Sequence, residues 1–298
     1  RLVPDVDFFI VMHIKKEATN SSQIEGTQTN MEDALQKKEN INPEKYNDWL
    51  EVRNYVNAMN FSIEELSKIP LSNRLLKMAH QRLMHNARGG RKTPGEFRTS
   101  QNWIGGSSIQ DAVFIPPHFE KVTNLMSDLE MFLHNENDNT PDLIKIGIAH
   151  YQFETIHPFL DGNERIGRLL ITLYLFHKKI LIKPTLYLSR VFEKNKVLYY
   201  DNLMRARTHN NLNQWLKFFL EGVKQTAENS IQTFNDIIKL RDTLERHTIT
   251  TLGKRTKIAQ EFLHYLYKQP IVDSRDVAKT LKINISTATS LINDFMRL

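Results

Sequence analysis

The chain has no cysteine among its 298 residues. Disulfides and thiolate metal sites are therefore excluded, and a reducing compartment, the cytoplasm, is expected. No apolar run approaches the roughly 18 to 20 residues a membrane span needs, so no membrane association is expected. There is also no dense stripe of Lys and Arg. The net charge of +6 and the pI near 9.3 are a modest basic excess, which suits phosphate-bearing ligands or nucleic acid and is diagnostic of neither. Internal repeats and low-complexity tracts are missing, which removes solenoids and disordered arrays from consideration. The opening residues, RLVPDVDFF, carry neither a signal-peptide pattern nor an initiator Met, and the natural chain is expected to begin upstream.

What is present is ordinary globular composition, 40% hydrophobic and 25% charged, enough for one large domain and a small one. Helical periodicity dominates. Residues 45–67 place Trp49, Val52, Tyr55, Val56 and Met59 on one face, and 72–86 continue with Leu75, Leu76, Ala79 and Leu83. The pattern breaks over the glycine-rich 86–118, where Asn102–Ile104 and Ala112–Ile115 read as short β pieces and Gly105-Gly106-Ser107-Ser108 as a hairpin turn. Helices are predicted again over 118–134, 142–155, the stretch after residue 168, 193–208 and "LNQWLKFFLEGVKQT", with a separate polar helix over 228–246. "HTITTLGKRT" (247–256) reads as a linker, and 257–298 as helix, tight turn, helix.

"HPFLDGNERIGR" (157–168) concentrates polar groups and helix breakers. Pro158 and Gly162 stop a helix from running through, so one helix ends near His157 and another starts near Asn163, the predicted N-cap. A helix N-terminus presents free N–H groups and partial positive charge, which suits phosphate. Arg165 and Arg168, three apart, can fork onto phosphate oxygens. Asp161 offers a hard oxygen to Mg²⁺, and His157 can accept a proton near neutral pH. With no obvious covalent nucleophile, direct in-line attack by a substrate hydroxyl is the simplest chemistry.

This segment resembles the Fic-domain signature, His-x-Phe-x-(Asp/Glu)-Gly-Asn-Gly-Arg-x-x-Arg, at His157, Phe159, Asp161, Gly162, Asn163, Arg165 and Arg168. The resemblance extends over roughly residues 10–225, through "RTSQNWIGGSSIQDAVFIPP" and "LYYDNL". It implies an all-α fold: a Fic-type helical core with a short β-hairpin flap, here followed by a small helix-turn-helix, winged-helix-like domain. It also implies AMP transfer from ATP, with Mg²⁺, to a Ser, Thr or Tyr hydroxyl of a target protein, the chain itself included. By position His157 would be the base and Asp161 the Mg²⁺ ligand. Gly162, Asn163 and Glu164 would form the anion loop, Arg165 and Arg168 would meet the phosphates, and Tyr199 and Tyr200 would lie by the base. The flap residues Ile104, Gly105, Gly106, Ala112, Val113 and Phe114 would align an extended target by strand addition. "SSQIEG" (21–26) resembles the family's inhibitory helix at Ser21, Glu25 and Gly26, whose glutamate would pair with Arg168 and displace the γ-phosphate. Ser21 and Glu25 are four apart, on one helix face, and Gly26 is placed to end that helix.

The match fails at Glu164, where the family carries glycine. A glutamate adds a Cβ and, if turned inward, a negative charge whose repulsion at about 4 Å costs on the order of 4 kcal/mol. Three outcomes are open: Glu164 turns to solvent, it pairs with Arg165 or Arg168 as a second brake, or it marks another phosphate donor. The expected organisation is an N-terminal segment with the inhibitory helix (1–40), a core domain (41–226), a long helix and linker (227–256) and a helix-turn-helix (257–298). The polar 228–246 helix could support a homodimer. A DNA-binding regulator is the reading from a different class, with Thr287, Thr289, Ser290 and Asn293 as candidate contacts.

Overall fold

A computed structural model describes residues 6–87 and 92–298. They form an all-α protein in two compact units, one comprising Met12–Ala34 with Ile41–Ala227, the other the described residues before Met12 with Leu35–Asn40 and Glu228–Leu298.

In the larger unit, α1 (Val6–Ile24) buries Ile14, Ala18 and Ile24 together with Glu17 and Ser21. It stops at Gly26, whose φ of +93° ends the helical ladder. A short α2 (Met31–Leu35) leads to α3 (Tyr46–Glu65), which buries Trp49, Val52, Tyr55 and Met59. It packs on α4 (Asn73–Leu83), whose N-cap Ser72 accepts from Leu75 N–H. Next come α5 (Val122–His134), α6 (Asp142–Ile156) and α7 (Asn163–His177). Helix α7 is buried on all sides from Arg165 through Leu175, the condition of a central helix; α3, α4 and α6 pack around it.

Four details differ from the sequence expectation. The 193–208 helix is two pieces, α8 (Ser189–Lys194) and α9 (Lys196–His209), broken at Asn195, where ψ is +34°. The two helices expected after it are one, α10 (Leu212–Thr243), because Gly222 alone does not interrupt a helix. Trp215 of α10 donates to Gly147 O at 2.9 Å, and Gly147 lets Phe219 close on α6. Residues 247–256 are tight helical turns bent at Gly253, with Ile249 buried, so they are packed structure instead of an open linker. The hairpin shrinks to one antiparallel bridge, Ile104 to Phe114. Asp111 accepts the Ser107 and Ser108 N–H groups and closes the loop tightly after the bridge, and Pro116 and Pro117 have no N–H to offer.

In the smaller unit α11 (Thr256–Lys268), α12 (Ser274–Leu281) and α13 (Ile285–Phe295) share a core of Phe262, Leu263, Val277, Ala288 and Leu291, joined by Ile249. Asp273 caps α12, Lys282 closes it in the left-handed region, and Asn284 caps α13. No helix among the described residues is long and apolar enough to cross a membrane.

Candidate active site

Helix α6 ends at Ile156, and His157 follows at φ +50°. The residue before a proline is disfavoured in the α region, so Pro158 explains why the chain leaves the helix here. Helix α7 restarts after Gly162, itself at φ +73°. The expected N-cap role of Asn163 is thereby corrected: Gly162 is the cap, and Asn163 is the first helical residue. Its amide is used across the loop instead, accepting from Phe159 N–H (2.7 Å) and donating to Phe159 O (2.8 Å).

Three residues that motif reading missed hold the loop from outside. The His80 ring stacks on Phe159 with centroids 3.8 Å apart. Its Nδ1 accepts from Gly95 N–H, so Nε2 carries the proton and donates to Asp161 O at 2.9 Å. Buried Arg98 donates to the final carbonyls of α6, through Nη2 to Ile156 O and Nε to His157 O, and also to Pro117 O. Asn102 donates to His157 O and Phe159 O. Arg98 and Asn102 therefore tie the base of the flap to the loop. Both lie in the irregular 86–118 stretch, where no periodic or spacing signal marked them.

Burial, aided by the Arg207 cation, lowers the His157 pKa to about 4, so its ring is neutral at pH 7 and able to take a proton; its Nδ1 has no hydrogen-bond partner. Arg207 donates to Glu154 O and Thr155 Oγ1 and lies 4.4 Å over the Phe114 ring of the flap. Of the flap residues, Ile104 and Phe114 form the bridge, Gly105 and Gly106 turn at φ +70° and +74°, and Val113, next to Ala112, is exposed.

The two arginines of the motif are buried. Arg165 faces Glu51 at 3.5 Å and Asp161 at 3.7 Å, and its Nε and Nη1 lack hydrogen-bond partners. Arg168 donates from Nε to Ser21 Oγ (2.9 Å) and from Nη2 to Ser21 O (3.0 Å) and Glu25 Oε1 (2.6 Å). Glu25 is not within α1 but in the turn just after it. Burial is the largest single influence and opposes its charge, but Arg168, Glu164 and Arg165 together lower the pKa. Glu164 points inward: Tyr200 Oη donates to its Oε2 at 2.5 Å, and Arg168 Nη1 lies 3.7 Å away. Burial, then the charges of Glu25 and Glu154, push Glu164 well above the usual carboxylate range.

Tyr199 departs from its expected position by the nucleotide. It is fully buried, stacks on Phe192, and donates to His150 Nε2, whose Nδ1–H is taken by Gly167 O. On a helix the next residue points elsewhere, and Tyr200 is the one that reaches the loop.

The cleft at the loop is about 340 Å³, lined among others by Glu25, Lys92, His157, Asp161 and Glu164. Asp161 Oδ1 accepts from Gly162 N–H, and Oδ2 pairs with Lys92 at 3.0 Å. No cluster of three or more His, Cys, Asp or Glu among the described residues could cage a metal. A lone half-exposed carboxylate nonetheless fits Mg²⁺ arriving on phosphates, which takes one or two protein oxygens.

The family model described as Fic/DOC family matches residues 70–175, and that described as Fic/DOC family N-terminal matches residues 1–64. The chain belongs to the Fic/DOC family. The chain is 26% identical over 144 residues to the protein adenylyltransferase Fic of Drosophila melanogaster, covering 48% of this chain and 26% of that protein. Against the Drosophila erecta protein of the same name it is 25% identical over 187 residues, covering 61% and 33%. The matched region thus spans a third or less of these curated relatives. A Fic family protein from Desulfovibrio desulfuricans shares the fold at TM-score 0.66 and 23% identity, over 99% of this chain and 82% of that one. A Fic domain containing signaling protein from Bacteroides thetaiotaomicron does so at TM-score 0.60 and 20% identity, over 80% and 91%.

Proposed function

We propose that this chain transfers AMP from ATP to a hydroxyl side chain of a protein and is held off by its own Glu25. The observation that carries the reading is the buried Arg168, gripped by Ser21 and Glu25 at the end of a loop with unpartnered arginine donors. The names of the curated relatives support the transfer itself.

The chemistry follows from the residues. The flap edge holds an extended target by main-chain bonds, and the neutral His157 ring takes the hydroxyl proton. The hydroxyl oxygen bonds to the α-phosphorus as the bond from that phosphorus to the bridging oxygen breaks, and pyrophosphate leaves. Arg165, Arg168 and the N-terminus of α7 stabilise the charge on the phosphates. Mg²⁺ held by Asp161 would neutralise phosphate charge; Lys92 would yield that carboxylate to it. With Glu25 on Arg168, the arginine is unavailable to the γ-phosphate.

The test is transfer of ³²P from α-labelled ATP onto the protein and onto lysate proteins. Label is expected to rise when Glu25 is lost and to vanish with His157→Ala in the same background. Label that survives His157→Ala would sink the reading.

A further inference from the structure

Residue 164 lies in the first turn of α7, where the helix N-terminus and Arg168 together attract negative charge. A glutamate there answers the same electrostatics as a phosphate. Its carboxylate is held in place: Tyr200, reaching over from α9, donates to Oε2 at 2.5 Å. Across from it is Arg168 Nη1, a buried donor with no hydrogen-bond partner, 3.7 Å from the same oxygen. Glu25 takes Nη2 of that guanidinium, so the two carboxyls approach one arginine on different nitrogens.

We propose that Glu164 is a second anion built into the phosphate loop and that it selects nucleotides by phosphate charge, so that freeing Arg168 from Glu25 opens the site to ATP only in part. The inference rests on reading residues 161–168 as a phosphate loop. The two carboxyls are alternative partners of Arg168. While Glu25 is present, its charge helps keep Glu164 protonated. Once Glu25 is gone, Arg168 loses its direct partner, and Glu164, already positioned by Tyr200 and 3.7 Å from Nη1, is the carboxyl left to pair with it. Two separate acts are then needed to open the site fully: withdrawal of the α1 end and neutralisation or displacement of Glu164.

The selectivity follows from charge. A fixed carboxylate in the loop repels each added phosphate group, so its removal should help ATP most, ADP less and AMP least. A side chain that merely supported the fold would alter all three alike.

The experiment is calorimetric titration of the full chain with ATP, ADP and AMP, each with Mg²⁺, using wild type, Glu25→Gly, and Glu25→Gly with Glu164→Gln. Glutamine keeps the size and can still accept from Tyr200 but carries no charge. Glu25→Gly alone is expected to gain less than about threefold in ATP affinity. Adding Glu164→Gln should gain at least about tenfold more for ATP and under about threefold for AMP. Should the glutamine variant not fold, Glu164→Gly in the same background carries the same expectation. Full ATP binding in Glu25→Gly alone overturns the inference, as does an equal gain for all three nucleotides or no gain from the second substitution. The two readings separate: tight ATP binding by the double variant without His157-dependent labelling ends the transferase reading and leaves this one. His157-dependent labelling in a Glu25→Gly protein that binds ATP as tightly as the double variant does the reverse.

Discussion

A Cβ on Gly167 would meet Glu154 Oε1 at 2.1 Å. That carboxyl is buried without a hydrogen-bond partner for Oε1, and burial raises its pKa to about 7. Gly167 lies where α7 packs on α6, and the added methyl would also press on the Phe153 ring at 3.2 Å. Gly167→Ala is expected to lower stability by roughly 1–3 kcal/mol, read as a shift in denaturant midpoint; an unchanged midpoint would mean that Glu154 swings aside freely. Single residues also mark where sequence reading reached and where it stopped. The ion pair of Glu25 with Arg168 follows the motif, whereas the two bonds from Arg168 to Ser21 carry no signal in it. Tyr199 was misplaced because two adjacent tyrosines on a helix cannot both face one site, and composition does not say which one does. Arg98 and Asn102 went unseen because a side chain that caps distant carbonyls leaves no local pattern.

At the scale of elements, the helices were legible and the flap was not. Helices α3 to α7 follow from apolar spacing, and their limits fall where capping and proline place them: Ser72 before α4, Pro158 after α6. The flap depends on how Asp111 spends its acceptor oxygens, and it takes four donors from Ser107 and Ser108 to close the loop. Gly106 sits at φ +74°, and a Cβ there would lie 2.4 Å from Asp111 O. Gly106→Ala should therefore distort the flap tip while the phosphate loop, held at the flap's base by Arg98 and Asn102, stays in place. Labelling of protein targets is expected to fall at least about tenfold while ATP affinity, measured by titration in a background that binds it, changes less than about twofold. Equal loss of both would tie the flap to nucleotide binding and contradict the separation. Helix α10 shows the limit of boundary reading: its turn in composition near residue 227 marks a change of unit, yet the helix runs through without interruption.

Over the whole molecule, pH acts through buried groups that charge counting cannot locate. Glu17 of α1 is buried, bonded through its carboxylate to the Ser189 hydroxyl, and its pKa is raised by that burial to about 7. A carboxyl raised on folding contributes stability that is complete below its unfolded value of about 4.5 and is lost as pH rises through 7. Glu17→Gln stays neutral throughout. Its stability relative to wild type should therefore grow by about 3 kcal/mol between pH 4 and pH 8, measured by denaturant titration at each pH. A flat difference would mean that Glu17 is ionised in the folded protein near neutrality.

The sequence by itself determined the all-α character, the broken helix at 157–163 and the identity of the groups around it. These are consequences of short-range rules: spacing, capping, and the backbone limits of proline and glycine. Only the tertiary structure decided that Glu164 turns inward, towards Arg168, and that Tyr200 fixes it there. Folding likewise decided that Arg168 is gripped by Ser21, 147 positions away. A side chain's direction is set by the charges and donors that folding brings to it from remote parts of the chain, and no local pattern in a sequence records them.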